Sequence, residues 1–328
     1  MIRVRPALTA LVAATALALT ACAGDTDAAA PAATGDAKTA TVEDNTGSKT
    51  VTLPLTSVVA TDNRTFETLE SWGVELTAAA RTLMPTTIGY KTNDKIVDLG
   101  SHAEPDLEAI VAVEPQLVVN GQRFTQHEAA IAKLAPDATI LNLDPRDGQP
   151  LDAELKRQVT VLGEVFGKQT EAKKLADDLD AAVARVKAAY DPAQKVMAVT
   201  TSGGEIGYIA PEVGRTLGPL FGLLGLTPAL EVEGASDDHQ GDDISVEAIA
   251  DANPDWILVM DRDAAVAADD PAYTPAANVL ASAEPLSKVS AVTKKQLVFM
   301  PTDTYTNEGI QTYTEFLNTL ADALEAAA

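Results

Sequence analysis

The sequence predicts an α/β fold of two similar Rossmann-like lobes joined by one long connecting helix. Three observations carry that expectation. Residues 104–119 (EPDLEAIVAVEPQLVV) recur at 243–258 (DISVEAIADANPDWIL) at a constant offset of 139, which also places Arg123 on Arg262. Short apolar runs alternate with helical periodicity, the pattern of parallel sheets with crossover helices. One amphipathic stretch, Thr170 to Tyr190, is long enough for a rod of about 30 Å that crosses from one lobe to the other.

The amino terminus supplies the compartment. Arg3 and Arg5 precede an apolar stretch, Ala7 to Leu19, that is too short to span a bilayer and suits a signal-peptide core. Leu19-Thr20-Ala21-Cys22 resembles the lipobox of bacterial lipoproteins, and Cys22 is the only cysteine of the chain. Residues 1–21 are therefore read as a lipoprotein signal peptide and Cys22 as the lipidation site. A diacylglyceryl group brings two chains, enough for stable anchoring to the bacterial cell membrane. Residues 22–48 are read as the lipidated cysteine and a disordered tether, because they hold almost no large apolar side chain to offset ordering entropy. The expected location is extracytoplasmic and lipid-anchored.

The remaining residues exceed what one core usually serves. They divide into an N-terminal lobe at 49–167, the connecting helix at 168–191 and a C-terminal lobe at 192–328. In the first lobe, Val51–Leu53, Ser57–Ala60, Lys95–Leu99, Gln116–Val119 and Ala138–Leu143 read as strands. A helix from Thr65 to Trp72 stops at Gly73, and another carrying Leu107, Ile110 and Val111 is stopped by Pro115. Ala153–Phe166 forms a helix before the connector. In the second lobe, Lys195–Thr201, Trp256–Met260 and Gln296–Met300 read as strands, with a helix around Thr216–Leu224. The stretch from Ala264 to Pro285, rich in Ala, Asp and Pro, reads as a long irregular connection, and Glu315–Ala327 closes the chain as a helix.

The net charge of −24 leaves no basic stretch to replace the counterions on nucleic acid, so that partner is excluded. Against this acidity the matched arginines stand out. Arg123 and Arg262 each follow a buried strand, at the carboxyl ends where open α/β sheets bind ligands. Two lobes that each bring a guanidinium to one crevice form a clamp for an anion.

Four segments, DLGSHAEPDLEAIVAVEPQLVVNGQR (98–123), EVGRTLGPLFGLLG (212–225), DDHQGDDISVEAIADANPDWILVMDR (237–262) and MPTDTYTNEGIQT (300–312), carry a further resemblance. From about Thr50 onward the chain resembles the class III substrate-binding lipoproteins of ABC-type iron-siderophore importers, nearest the ferric catecholate branch. The resemblance implies the class III periplasmic-binding-protein fold and a cleft lined by three arginines. Arg123, Arg215 and Arg262 occupy the matching positions. It also implies a histidine and a tyrosine, here His239 and Tyr305, that complete the iron shell when a siderophore offers only four donors. Fe(III) is hard, so a phenolate is a strong ligand and an imidazole an acceptable one. His102 falls just before a helix near the cleft, and His127 reads as a surface residue.

The function expected is capture of an anionic ferric siderophore, of catecholate type, by a monomer that delivers it to the ABC permease. The family's acidic knobs for the permease would correspond to glutamates such as Glu70 and Glu231. No cofactor and no catalysis are expected: the chain has no Gly-x-Ser-x-Gly elbow and no His-Glu-x-x-His helix. The alternatives are another iron chelate, haem or a corrinoid as cargo, and, from another class, an exported hydrolase. A free-metal receptor would need three or four protein ligands, which three widely spaced histidines do not supply.

Overall fold

In the computed structural model, residues 38–328 are described. The signal segment and Cys22 lie outside the described residues. The described residues begin with a hairpin of β1 (Lys38–Asp44) and β2 (Gly47–Leu53). The first lobe follows: β3 (Val58–Ala60), α1 (Phe66–Ser71), β4 (Ala78–Ala79), β5 (Val97–Asp98), α2 (Leu107–Ala112), β6 (Leu117–Asn120), α3 (Glu128–Leu134) and β7 (Thr139–Asn142). Its five strands are all parallel in the order β5-β4-β3-β6-β7. Two long helices, α4 (Leu151–Phe166) and α5 (Gln169–Ala189), lead out of it.

The second lobe holds β8 (Lys195–Ser202), β9 (Glu205–Ile209), α6 (Pro219–Leu224), β10 (Thr227–Pro228), α7 (Val246–Ala252), β11 (Trp256–Asp261), α8 (Arg262–Val266), α9 (Ala276–Ser282), α10 (Ser290–Thr293) and β12 (Leu297–Phe299). Strands β10, β8, β11 and β12 are parallel in that order, and β9 pairs antiparallel with β8. The chain ends in α11 (Ile310–Ala327), which packs along α5. Among the described residues no helix is long and apolar enough to cross a membrane.

The internal repeat is visible in backbone detail. Asp106 caps α2 by accepting from the Ala109 N–H at 2.9 Å, and Ser245 caps α7 by accepting from the Ala248 N–H at 3.1 Å. At the other end, Glu114 and Asn253 both have a φ of 44°, each just before its proline. Both residue pairs are separated by the repeat offset. The same sequence signals therefore start and stop both helices, and each is followed by a strand that is buried on both faces.

Alternate side chains of these strands enter different cores. Val58, Ala60, Leu117 and Val119 of the first lobe share one cluster with Val196, Ala198, Leu258 and Met260 of the second, filled in by α4, α5 and α11. Val59 and Val118 face a separate core with Leu99 and Ile110, and Met197, Val199, Ile257 and Val259 face another with Ile249. One continuous core thus runs through both lobes, and α5 lies within it. Arg185 on α5 reaches Asn318, Asp322 and Glu325 of α11.

Three expectations are corrected. Residues 38–48 belong to the hairpin rather than to a tether, and Val42 and Val51 are buried against α4 and β7. A two-stranded hairpin is marginal alone; this one is held by its backing, with Asn45 donating to the Asp144 carbonyl at 2.9 Å. Composition misses it because alternation needs only one inward valine near the middle of each strand. The stretch 264–285 is likewise not irregular throughout, although 267–275 is. Helix α9 buries Ala276, Val279 and Leu280, and it starts where Asp261 accepts from the Ala276 N–H at 2.8 Å. The final helix also begins earlier than Glu315, at Ile310.

A chain that starts at Gly47 should unfold at lower urea than one that starts at Ala37. The loss expected is about 1.5–3 kcal/mol, the scale of one fully buried valine. Equal urea midpoints would return residues 38–48 to the status of a tether.

Candidate ligand-binding site

Both parallel sheets direct their carboxyl ends toward the chain segment 303–309. Arg123 lies three residues past β6, in a 3-10 turn over Gln122–His127, and Arg262 opens α8 directly after β11. Arg215 sits in the tight turn between β9 and α6, and Tyr305 in the turn Thr304–Thr306. These four side chains meet. The guanidinium carbons of Arg123, Arg215 and Arg262 stand 4.9, 5.7 and 4.8 Å from the centre of the Tyr305 ring. Tyr305 is only 5% exposed. Each cation gains about 0.5–2 kcal/mol from the ring's negative face.

The turns that present two of these arginines are strained. Gln122, next to Arg123, has φ +54°, and Thr216, next to Arg215, has φ +66°. A left-handed β-branched residue is an outlier that costs about 1–3 kcal/mol and persists only where its surroundings hold it. Gly214 must be glycine, because a Cβ there would lie 2.6 Å from the Ala210 nitrogen. The holding group for both turns is Glu308. It accepts from Gln122 Nε2 at 2.9 Å and from the Thr216 hydroxyl.

Glu308 is 3% exposed and also pairs with Arg215 at 3.2 Å and Arg64 at 3.5 Å. Burial alone would raise its pKa, but the charges of Arg215 and Arg64 outweigh that and hold it below the usual carboxylate range. Arg64 in turn pairs with Asp144 at 3.3 Å, and Asp144 accepts from the Gln122 N–H at 2.7 Å. Beneath them Asp62 is fully buried and accepts from Gln158 at 3.1 Å. Gly121 lies against it: a Cβ would sit 2.5 Å from Asp62 Oδ2. Burial, with Asp144 adding to it, pushes Asp62 up to about 7.

The third arginine is held differently. Arg262 donates to Ser202 Oγ at 3.2 Å and pairs with Asp263 at 3.1 Å, while its buried Nε has no partner among the described residues. Arg123 has no carboxylate within 4 Å among the described residues, so its donors are free. His239 sits on the loop before α7, 47% exposed, with Nδ1 3.9 Å from Asp238. Its neighbour Gln240 donates to the same Ser202 Oγ at 3.2 Å that receives Arg262. The structure therefore gathers Arg123, Arg215, Arg262 and Tyr305 into one cluster and leaves His239 on an adjoining loop.

His127 bonds the His102 carbonyl at 2.7 Å. Burial, with Arg123 adding to it, holds the His102 imidazole below its ordinary pKa. Glu70 accepts from the Tyr90 N–H at 3.0 Å and so serves the fold, while Glu231 is exposed.

Sequence reasoning missed Glu308, Arg64, Asp144 and Asp62. One signal was available: Arg64 follows β3 much as Arg123 follows β6.

The segment 303–311 also ties the lobes together. Asn63 donates to the Thr306 carbonyl at 3.0 Å, Thr68 to Gln311 at 2.7 Å, and Asn307 to Glu67 at 2.9 Å. Two α/β lobes joined by one helix, with a cationic cluster between their strand ends, are the arrangement of a two-lobed solute-binding protein. The chain belongs to the periplasmic binding protein family, whose sequence pattern matches residues 58–304. It is 31% identical over 227 residues to the ferric-anguibactin-binding protein FatB of Vibrio anguillarum, covering 68% of this chain and 69% of that one. It is 24% identical over 287 residues to the petrobactin-binding protein YclQ of Bacillus subtilis, covering 86% of each. Among solved structures it is similar to the catecholate-siderophore binding protein VctP of Vibrio cholerae, with a TM-score of 0.74 and 22% identity over 88% of this chain and all of that one. The fold is that of the class III periplasmic binding proteins.

Asp62 gives a pH signature. The folded state keeps its proton up to about pH 7, whereas the unfolded chain releases it near pH 4. The stability this group contributes is therefore present below about pH 4 and lost as the pH rises through 7. Urea midpoints of Asp62→Asn and the parent should be close at pH 4.5 and diverge in favour of the variant toward pH 8. A difference that does not change with pH would contradict the burial of an ionisable Asp62.

Proposed function

We propose that this protein is the extracytoplasmic substrate-binding component of an ABC importer, which captures an anionic ferric siderophore in the inter-lobe cleft and hands it to the permease. The observation that carries this reading is the convergence of Arg123, Arg215 and Arg262 on Tyr305. A ferric catecholate complex is anionic and has flat aromatic rings. Planar guanidiniums suit it twice over, with charge-assisted bonds to paired oxygens and stacking on the rings. Relatives named for ferric anguibactin, petrobactin and catecholate siderophores support the same cargo class. No bond of the cargo needs to be made or broken.

In this reading Tyr305 offers iron a phenolate oxygen and His239 an imidazole when the chelate has only four donors. The exposed loop of His239 suits a ligand that swings onto iron already held by the chelate. Cys22, through its lipid, keeps the receptor at the outer face of the membrane beside the permease. The receptor acts as a monomer in this reading.

The three arginines should separate in a binding and stability assay. Binding can be followed by quenching of Trp72 and Trp256, the two tryptophans of the chain. Arg123→Ala should weaken binding of a ferric bis-catecholate by about 1.5–3 kcal/mol with little change in stability, because no carboxylate is stranded. Arg215→Ala should weaken binding and also destabilise the fold, because it strips a partner from buried Glu308. Tyr305→Phe should lose more affinity for a tetradentate ferric complex than for a hexadentate one. Unchanged affinity in all of these variants would sink the proposal.

A further inference from the structure

We infer that Glu308 is the positioning residue of the cleft: one buried carboxylate fixes the turn that carries Arg123 in the first lobe and the turn that carries Arg215 in the second. The inference rests on the binding reading above. Glu308 touches neither chelate nor iron in this account; it acts through the arginines.

The geometry is specific to those two turns. Glu308 accepts from the residue just before Arg123 and from the residue just after Arg215. Both of these residues, Gln122 and Thr216, hold a positive φ, which side-chain-bearing residues adopt only under constraint. Glu308 also pairs with Arg215 itself, 3.2 Å away, and with Arg64 on the opposite lobe, 3.5 Å away. Tyr313, buried behind them, donates from its hydroxyl to the Thr216 carbonyl at 3.1 Å, so the Thr216 peptide is held on both sides. Four donors from three separate chain segments thus converge on one carboxylate that is almost completely shielded from water. Gln122, the strained residue on the first lobe, has a second restraint from Asp144. Thr216 has its second restraint from Tyr313, but two side chains of its turn, Thr216 and Arg215, bind Glu308, so that turn is the one most dependent on it.

Like charges explain why such a residue is needed. Three guanidiniums packed on one ring repel one another, and without a fixed counter-charge behind them the turns would relax outward. A carboxylate placed behind Arg215, rather than in the cleft, neutralises part of that repulsion while leaving the ligand-facing donors available.

Two measurements test this. In the ligand-free protein, amide hydrogen exchange should accelerate at least tenfold in residues 214–217 of Glu308→Gln, and to a smaller extent in 121–124, while the strands of both sheets keep their parent rates. Thr216→Val, which removes one hydroxyl donor and preserves both shape and charge, should loosen 214–217 alone, and it serves if Glu308→Gln does not fold. Unchanged exchange at 214–217 in Thr216→Val overturns the inference, as does acceleration spread evenly over the whole chain. This arm needs no ligand and so is independent of the cargo proposed above. In the second measurement, affinity for a ferric bis-catecholate is compared in a cycle. Glu308→Gln should lower affinity at least tenfold in the parent and less than twofold in Arg123→Ala/Arg215→Ala. An equal fold-loss in both backgrounds would mean that Glu308 only supports the fold.

Discussion

Three guanidiniums gathered on the face of one nearly buried phenol are an unfavourable arrangement by themselves, and much of the inter-lobe architecture can be read as what makes it stable. Tyr305 supplies a negative ring face, but cation–π attraction on this scale does not balance mutual repulsion among like charges out of water. Glu308, Asp144 and Asp263 supply the counter-charge. Glu308 pairs with Arg215 and Asp263 with Arg262, Asp144 pairs with Arg64 behind them, and Arg123 keeps no carboxylate partner among the described residues. On a chain of net charge −24, this is a local inversion of sign.

The shared core determines how firmly that cluster is held. Alternate residues of β3, β6, β8 and β11 enter a single apolar cluster with α4, α5 and α11, so the lobes are packed into each other. Hydrogen bonds from Asn63, Thr68 and Gln122 reach across to 306–311. A cleft with so many cross-links is formed before the ligand arrives. Preorganisation of this kind reduces the ordering penalty on binding, and it suits a rigid, bulky chelate better than a flexible substrate that must be enclosed.

Much of this was legible in the sequence, for local reasons. Helices α2 and α7 announce themselves by a capping residue, a short apolar face and a following proline, and the strands after them are continuous apolar runs. That pattern repeats, and the repeat pointed to Arg123 and Arg262 because each lies just past a strand end. Of the hairpin only Val51–Leu53 was legible, and β1 and α9 were not. Val42 and Val51 are single inward residues in polar strands, and α9 is written in alanine, so neither has a composition that separates it from a loop. Glu308 and Arg64 were hidden for another reason: they are far apart in the chain and meet only because both lobes close on the segment 303–309. A buried ion pair between distant segments leaves no periodicity to read, and Asp62, beneath it, leaves none either.

The central claim is that an anionic ferric chelate sits in this cleft against Tyr305 and the three arginines. A crystal structure of the protein loaded with a ferric bis-catecholate tests it most directly. The account predicts chelate oxygens within hydrogen-bond distance of Arg123, Arg215 and Arg262, and iron bound by the Tyr305 oxygen. A chelate seated outside the inter-lobe cleft, or within it but touching none of the three guanidiniums, would contradict the account.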